Sequence, residues 1–213
     1  MDRADHISAS PAHHVATPKI HYYGTPVILL STCNEDGMPN LAPMSSAWWL
    51  GQNCVLGLGT RAQTFRNLER TREVVLNLAS ADMVAAVNRL ALTTGVNPVP
   101  DYKQAMGVEY VKDKFARAQL TACASDLIAP PRVLESKISL EAKVKAIHMV
   151  GGDDRHLASI EVEIVRTHWH ESLINDGKRH HLDPDKWKPL IMNFLEFYTL
   201  GGELHDSRLA KVF

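Results

Sequence analysis

The first residues whose types and spacing could do chemistry are Thr60, Arg61, Gln63 and Thr64. They fall where an apolar run passes into a segment with helical periodicity. Free amides and the positive dipole end at a helix N-terminus favour a phosphate, and Arg61 adds a permanent charge with fork geometry. The alternative is a capping box formed by Thr60 and Gln63 beside a surface arginine. From these residues alone, an anion site and a plain cap both remain open.

A second polar group follows a proline within an apolar, strand-like run. Pro43 removes one backbone donor, and such a strand prefers an edge or a bulge, which leaves backbone groups free for a ligand. Ser45 and Ser46 could offer hydroxyls or amides there. The alternative is an ordinary edge strand with polar outer residues. Of Trp48 and Trp49, we expect at least one to pack in the core, because aromatic residues dominate cores and interfaces.

The histidines do not form a metal motif. Two of them, His168 and His170, would share one face of a strand, but no carboxylate stands at a convincing ligand spacing. Adjacent histidines point apart on a strand, and the pairs are His13–His14 and His180–His181. We therefore predict no metal site.

The elements that must position these residues are mostly strands. The apolar runs predict strands at Pro26–Cys33, Asn40–Trp49, Asn53–Gly59 and Glu73–Ala79. The Asp36–Gly37 pair between the first two runs predicts a hairpin. Between the last two runs, a helix is expected to begin at Thr60 and end near Arg70, with Phe65 and Leu68 facing the core.

Two longer runs predict a second hairpin. Ile138–Ala146 alternates with period two, so that Glu141 and the lysines lie on the wet face. The alternation slips at Ala146–Ile147, which indicates a bulge. His156–Trp169 returns after a turn at 151–154, and its glutamates could pair with the lysines across the strands.

The remaining segments suggest a tail, a single domain and one insertion. Residues 1–20 lack periodicity and are expected to be an N-terminal tail. Residues 21–213 contain six or seven strands, with a helical excursion at about 82–131 that includes a helix over Asp82–Leu92 and helical pieces around Tyr102–Met106. One domain built on a barrel is the simplest solution.

The bulk properties exclude several classes of protein. The 213 residues carry a net charge of −1 with no clustered basic block, which argues against a nucleic-acid binder. No apolar run could span a membrane, and residues 1–20 are not a secretory signal. The three cysteines, Cys33, Cys54 and Cys123, form no CxxC pair, so we expect a protein of the reducing cytoplasm.

As a set, these segments resemble the flavin-reductase-like, FMN-binding split-barrel family. The resemblance covers roughly residues 20–202. It rests on the pieces Pro26–Thr32, Asp36–Gly37, Asn40–Ser46, Gly57–Arg61, Gln63–Thr64, Asn67 and Glu73–Leu78, taken in this order and spacing. One departure is Gln63, where many members carry Lys or Arg before the threonine, so Arg61 or Arg66 must supply the charge.

The resemblance implies a mainly β protein, an antiparallel Greek-key six-stranded split barrel with short helical insertions. It implies a homodimer that binds FMN, or FAD in its place, with NAD(P)H as substrate, and with a monooxygenase or another electron acceptor as partner. The implied cofactor-binding residues are Asn40, Ala42, Pro43, Met44, Ser45, Ser46, Thr60, Arg61, Gln63, Thr64 and Asn67. His156 resembles a histidine near the nicotinamide site, where it would position rather than make bonds; the alternative is a surface histidine at a strand start.

Three functions follow from this resemblance. The first is an NAD(P)H-dependent flavin reductase that delivers electrons to free flavin, oxygen or a partner protein. The second is a flavoredoxin-like electron-transfer protein that holds FMN but has little NAD(P)H activity. The third is a barrel that has lost flavin and kept a scaffold role, which the intact Ala42–Ser46 and Thr60–Thr64 pieces oppose.

Overall fold

The structure, a computed structural model, describes residues 13–152, 156–175, 178–205 and 207. Its strands are β1 (Tyr23–Pro26), β2 (Ile28–Cys33), β3 (Pro39–Met44), β4 (Ala47–Leu50), β5 (Asn53–Gly59), β6 (Glu73–Leu78), β7 (Thr93–Thr94), β8 (Glu109–Tyr110), β9 (Ala122–Cys123), β10 (Arg132–Val133), β11 (Ile138–Val150), β12 (Leu157–Trp169), β13 (Ile174–Asn175), β14 (Lys178–Leu182), β15 (Ile191–Asn193) and β16 (Glu196–Tyr198). Its helices are α1 (Gln63–Thr71), α2 (Val84–Leu90), α3 (Asp101–Gln104) and α4 (Lys114–Ala118), with 3₁₀ turns at Ala81–Met83 and Glu171–Leu173.

Parts of three predicted features lie outside the described residues: the tail through residue 12, turn residues 153–154 and loop residues 176–177. Residues 13–20 form neither helix nor strand, and the boundary of the domain stays a prediction. Within the described ranges, no helix combines the length and the apolar character needed to cross a membrane.

Seven strands form one sheet in the order β3-β2-β6-β11-β12-β5-β4, and each neighbouring pair is antiparallel. The edge strands β3 and β4 are nevertheless consecutive in the chain, with only Ser45 and Ser46 between them. Because a two-residue connection keeps the ends of the two strands within about 11 Å of each other, the sheet must curl until its edges approach each other. We call this junction at Ser45–Ser46 the seam. A curled sheet with an open seam confirms the predicted mainly β split barrel, although the sheet has seven strands rather than the six that the resemblance implied.

The curl encloses the main apolar core. The inward side chains of β2, β5, β6, β11 and β12 form one buried cluster, and α1 closes it with Phe65 and Leu68, as predicted. Trp49 packs against the same cluster, whereas Trp48 is 56% exposed. The expectation that at least one of the two tryptophans packs in the core is therefore confirmed.

The excursion covers the outer face of β2 and β3 with a second apolar cluster. Val27, Leu29 and Leu41 pack there against Val87 of α2 and Phe115 of α4. The predicted helix over Asp82–Leu92 is present as the 3₁₀ turn followed by α2. Both faces of β2 are thus buried, which explains its nearly continuous apolar sequence.

The start of α1 corrects the predicted capping box. The helix begins at Gln63 with Ala62 as its N-cap, and no side chain caps it. Gln63 Nε2 instead donates to Asn67 Oδ1 one turn later, at 2.9 Å. Thr60 lies before the helix, where its amide donates to the His156 carbonyl at 2.9 Å. Residues 60 and 61 form a turn that the Ala62 amide closes onto the Gly59 carbonyl at 3.0 Å, so the helix begins only after this turn.

The long β11–β12 hairpin confirms two predictions and corrects a third. Its register shifts between Val144 and Ala146, as the slipped alternation indicated, and Lys145 pairs with Glu163 at 2.9 Å. Glu141, however, is fully buried rather than wet. The end of the excursion folds over it, so that both carboxylate oxygens accept backbone amides, from Asp126 and Leu127, at 2.8 Å each.

His168 Nε2 completes this arrangement at 2.7 Å from Glu141 Oε1. Burial by itself raises the pKa of Glu141, but the hydrogen bonds from Asp126, His168 and Leu127 outweigh burial and hold this pKa below its ordinary value. The carboxylate thereby fastens the end of the excursion to the barrel.

We expect Glu141→Gln to lower the free energy of unfolding at pH 7 by about 2 kcal/mol, since one of the two amides would then face an NH₂ group. The folded pKa is lowered, so this stabilisation is present above the unfolded pKa of about 4.3 and is lost as pH falls through the folded value. Urea unfolding at pH 7 and pH 4 should show a smaller loss on acidification in the variant. Glu163→Gln, at an exposed pair, is the control and should cost under about 1 kcal/mol. Equal costs for both variants would contradict the anchoring role.

Candidate functional site

Two segments that are far apart in the sequence meet at the end of β5. Besides the backbone bond from Thr60 to His156, the Arg61 guanidinium hydrogen-bonds the His156 ring. His156 has a φ of +51°, which is uncommon for a residue other than glycine. The structure thus brings together the predicted phosphate-binding arginine and the predicted nicotinamide-site histidine.

These two residues line a cavity of about 430 Å³, the Arg61 cavity, whose other lining residues are Gly59, Ala62, Tyr102 and Lys103. The Arg61 guanidinium carbon lies 5.8 Å from the centroid of the Tyr102 ring. None of the described residues that line this cavity is acidic. The ionisable groups that line the cavity are two cations, Arg61 and Lys103, a tyrosine and a histidine. The cavity therefore suits an anionic ligand.

The start of α1 borders the same cavity. Ala62 caps the helix in an extended conformation without any side-chain hydrogen bond, so the first-turn amides are not taken up by a capping side chain. Such amides and the helix dipole stabilise negative charge. The anion site predicted from Thr60–Thr64 and the uncapped helix end therefore coincide, although the helix begins later than expected.

Three of the predicted cofactor-binding side chains are buried and bonded to one another. Asn40 Nδ2 donates to the hydroxyls of Thr32 and Thr64, at 3.3 and 3.1 Å, and Asn67 Nδ2 donates to Thr32 at 3.0 Å. Gly95 lies directly above, since a Cβ there would stand 2.9 Å from Asn40 Oδ1. These side chains form a polar network that joins α1 to β2 and β3, and their role toward a ligand stays a prediction.

A strip without side chains leads from the Arg61 cavity to the seam. Gly57 and Gly59 are exposed and share one face of β5. At Gly57 a Cβ would come within 3.0 Å of Ser46 Cβ, and the Gly57 amide donates to the Ser46 carbonyl at 2.7 Å. Ser46 Oγ in turn lies 2.8 Å from the Tyr22 hydroxyl. The glycine strip thus offers a flat backbone surface with polar groups at both ends.

The other face of the seam opens into a smaller, more apolar cavity of about 220 Å³. Pro43, Met44 and Ser45 form one of its walls, opposite Tyr22 and Phe197. Ala42 is half-buried in β3, opposite Leu30 in the register. The proline-interrupted segment therefore does lie at a sheet edge, as its sequence predicted.

Sequence reasoning missed Lys114, which is 4% exposed at the start of α4. No carboxylate pairs with it among the described residues. Burial, together with the charge of Lys103, lowers the pKa of Lys114 to about 8. Burial and the charge of Arg66 lower the pKa of Lys103 as well. A lysine in the first turn of a helix opposes the dipole, and that conflict was the available signal.

A buried cation without an acidic partner carries a cost that a ligand would relieve. At pH 7 the protonated amine of Lys114 destabilises the folded chain by up to about 3 kcal/mol, given an unfolded pKa of about 10.4. Natural proteins retain such groups chiefly at functional sites. Arg61, Lys103 and the start of α1 therefore define a candidate phosphate site, and Lys114 is a further buried cation near Lys103.

The structure also forms a group that the sequence analysis did not foresee. Asp126 and Glu141 lie close enough to His168 for the three to surround an ion. Each is already engaged, however, since Asp126 pairs with Arg166 at 2.9 Å and Glu141 holds two amides. The cysteines offer no reactive thiol at the site, because burial raises the pKa of Cys54 to about 12 and also raises the pKa of Cys33.

Comparison with known proteins agrees with this fold. The structure is similar to the flavoredoxin of Desulfovibrio vulgaris (Miyazaki F), with a TM-score of 0.76, 20% identity, and coverage of 94% of this chain and 99% of that one. It is also similar to nitrilotriacetate monooxygenase component B from Bacillus cereus, with a TM-score of 0.69, 22% identity, and coverage of 85% and 87%. Both likenesses establish the split-barrel class.

Comparison of the sequence identifies the family within this class. Residues 20–194 match the flavin reductase like domain, and the chain belongs to that family. It is also 40% identical over 187 residues to the uncharacterised protein YdfE of Bacillus subtilis (strain 168), covering 88% of this chain and 89% of that protein.

Removing the buried amine should separate stability from binding. We expect Lys114→Met to raise the free energy of unfolding of the ligand-free protein by about 1–3 kcal/mol at pH 7, and to weaken phosphate-ligand binding about tenfold. Urea unfolding and a titration with FMN measure the two effects. Lys112→Met, at an exposed lysine 4.0 Å from Asp36, is the control and should change neither quantity appreciably. A destabilised Lys114→Met protein with unchanged FMN affinity would assign the lysine a purely structural role.

Proposed function

We propose that the protein is an FMN-binding oxidoreductase, an NAD(P)H-dependent flavin reductase that delivers electrons to free flavin, oxygen or a partner protein. The observation that supports this proposal most strongly is the glycine strip. It shares Gly59 with the cationic Arg61 cavity and ends at the polar seam. A flavin mononucleotide has the same sequence of parts: a dianionic phosphate, a linker and a flat ring with a polar edge.

The phosphate would be held by the α1 amides, Arg61 and Lys114. Here Arg61 contributes the charge that the family usually places at the position of Gln63. The ring would lie along Gly57 and Gly59, where any larger residue would project into its plane. FAD in place of FMN would use the same residues for its flavin half.

At the other end of the strip, Ser45 and Ser46 would bind the polar edge of the ring through their amides or hydroxyls, since the Ser46 carbonyl already accepts from the Gly57 amide. The Ser46 hydroxyl is oriented by the Tyr22 hydroxyl. The buried network of Asn40, Thr64 and Asn67 would contribute indirectly, because it fixes the position of α1 relative to β3.

A flavin supplies hydride acceptance from a nicotinamide and onward transfer of the electrons. This chain's residues bind and orient: hydride transfer to a flavin requires no protein acid or base, so His156 positions the donor rather than exchanging a proton with it. Its ring is held by Arg61 and its carbonyl by the Thr60 amide. His156 has a positive φ, and its carbonyl would lie 3.9 Å from a Cβ built at Gly59.

We further propose that two copies of the chain assemble. The outer edge of β4 is apolar and exposed at Trp48 and Leu50, which is unusual for a free sheet edge. A monooxygenase component or another acceptor protein would then receive the electrons; the similar Bacillus cereus protein is itself named as one component of a monooxygenase.

The electron-carrier alternative differs only in the source of electrons. The likeness to a flavoredoxin favours considering it, because that protein shares the fold over nearly its whole length. In that case the protein would hold FMN but take electrons from a protein donor.

A visible absorption spectrum after addition of FMN and gel filtration tests the proposal. Retained flavin absorption that bleaches with anaerobic NADH or NADPH supports the reductase. Retained absorption that does not bleach supports the electron carrier. Absence of flavin both after filtration and in an equilibrium titration would refute flavin binding altogether.

Paired substitutions should divide the Arg61 cavity into two roles. We expect Arg61→Ala to weaken FMN binding about tenfold without unfolding the protein, since a charge-assisted hydrogen bond to phosphate is lost. His156→Ala should instead raise the apparent KM for the pyridine nucleotide more than that for flavin. Fluorescence titration with FMN and steady-state kinetics measure these effects. An unchanged FMN affinity would remove Arg61 from the site, and unaltered kinetics would return His156 to the surface.

A further inference from the structure

The cavity of about 220 Å³ on the other face of the seam, which we call the seam cavity, differs in chemistry from the cationic cavity beside α1. Its floor is formed by Val27 and Val87, each 2% exposed, which belong to the second apolar cluster. The half-buried Met44, Met192 and Phe197 form its sides. None of the described residues that line it carries a charge at pH 7. An occupant must therefore be neutral, because burying an unpaired charge there would be costly.

The size of the seam cavity fits a single ring. An apolar cavity of about 150 Å³ holds one benzene molecule, whereas drug-sized ligands occupy roughly 300–1,000 Å³. At about 220 Å³, the seam cavity has room for one substituted ring and is too small for a flavin or a nucleotide. Tyr22 and Phe197 contribute aromatic rings to its lining, and the methionine thioethers make favourable contacts with aromatic rings. The lining therefore favours a small aromatic molecule.

The polar side chains of the seam cavity are two hydroxyl groups, those of Tyr22 and Ser45. The Tyr22 hydroxyl lies 2.8 Å from Ser46 Oγ, and a phenol hydroxyl both donates and accepts hydrogen bonds. When Ser46 donates to Tyr22, the proton of Tyr22 is available to an acceptor atom in the cavity. A carbonyl oxygen is an acceptor that carries no charge, so it suits both the hydroxyl and the apolar lining.

The seam cavity borders the place proposed for the flavin ring. Ser45, which is 6% exposed, lines the cavity, and its amide or hydroxyl is among the groups proposed to bind the polar edge of the ring. Tyr22 likewise reaches the seam through its bond to Ser46. A molecule in the seam cavity would therefore be separated from the ring only by the residues of the seam, which makes the cavity suited to a partner in electron transfer.

We propose that the seam cavity binds an electron acceptor, and that this acceptor is a neutral single-ring quinone. The inference rests on the proposed function, because it names an acceptor for the flavin site described above. The reduced flavin gives up two electrons and two protons and becomes oxidised flavin. The quinone takes up both electrons and both protons, so that its two carbonyl oxygens become the hydroxyls of a hydroquinone. The Tyr22 hydroxyl orients one of these carbonyls.

Reoxidation of the reduced protein tests the inference without a nicotinamide. The FMN-loaded protein is reduced anaerobically with dithionite and mixed with duroquinone, whose fully substituted ring does not alkylate the free thiols. We expect the flavin absorption to return at a rate that saturates with duroquinone concentration, as a bound acceptor implies. The neutral, redox-inert p-xylene should compete. The anion p-toluate, which carries a carboxylate on the same ring, should compete at least about tenfold more weakly, because its charge would be buried without a partner.

A matched pair of variants locates the quinone. Ala91, directly after α2, is exposed and lines the seam cavity, so Ala91→Phe fills the cavity from its rim and leaves the buried floor in place. We expect this variant to bind FMN normally and to raise the half-saturating duroquinone concentration about tenfold, since the new ring would occupy the place of the quinone. Ala85→Phe puts the same ring on an exposed position of α2 that does not line the seam cavity, and it should leave reoxidation unchanged.

A third variant tests the polar contact. Tyr22→Phe should raise the half-saturating duroquinone concentration about fivefold, as the loss of one hydrogen bond implies. It should leave competition by p-xylene unchanged, because p-xylene accepts no hydrogen bond.

The contrary outcomes separate this inference from the proposed function. Bound flavin whose reoxidation rate rises linearly with duroquinone overturns the inference alone, and so does an equal effect of Ala85→Phe and Ala91→Phe. Equal competition by p-xylene and p-toluate also overturns it, because the acceptor would then occupy a site that tolerates charge. Absence of bound flavin instead refutes the proposed function, and the acceptor assignment with it.

Discussion

The candidate site depends on the buried hydrogen bonds that connect α1 to the barrel. Asn67 reaches from the middle of the helix to the Thr32 hydroxyl and the Asn34 side chain, while Asn40 reaches from β3 to Thr64. Buried amides that are fully bonded specify one arrangement, because any other leaves an unpaired polar group. The position and direction of the α1 N-terminus, and hence of its free amides, are set by this network.

The apolar core alone could not orient the helix so closely. Phe65 and Leu68 bury α1 against the barrel, but hydrophobic contact is non-directional and tolerates rotation. The hydrogen bonds of the Asn40 and Asn67 side-chain amides are directional, and they fix the orientation of α1. Gly95 then allows the excursion to pass directly over Asn40 and Gln63, and the excursion places Tyr102 and Lys103 in the cavity beside Ala62, at the start of the same helix.

Function and stability are opposed in this region. The glycine strip contributes no side chains to packing on β5, and Lys114 is buried in an environment that disfavours its charged form. Arg61 and Lys103 add further positive charge nearby. Elsewhere the chain balances its charges, as at Glu141, where a buried carboxylate receives two amides and a histidine. A region with unpaired positive charges, in a structure whose other buried charges are paired, is typical of a binding site.

The sequence by itself determined the strands, the excursion, the seam-forming proline segment and the placement of Arg61 before α1. These follow from local periodicity and from residue chemistry, which act over a few neighbours. It also predicted the bulge in β11, because a slipped alternation must be absorbed somewhere.

Only the tertiary structure decided the roles of residues whose neighbours are distant in the chain. Glu141 alternates as a wet residue but is buried, because the excursion returns over that face. Gln63 matches a capping box but bonds Asn67, because Thr60 lies in a turn before the helix, where its amide donates to the distant His156 carbonyl. Lys103 carries no local mark of function, and Lys114 carries only its unfavourable position in the first turn of α4. The functional role proposed for them depends on long-range packing, which brings cations of the excursion close to Arg61. The same packing leaves no acidic residue in the lining of the cavity that Arg61 and Lys103 share.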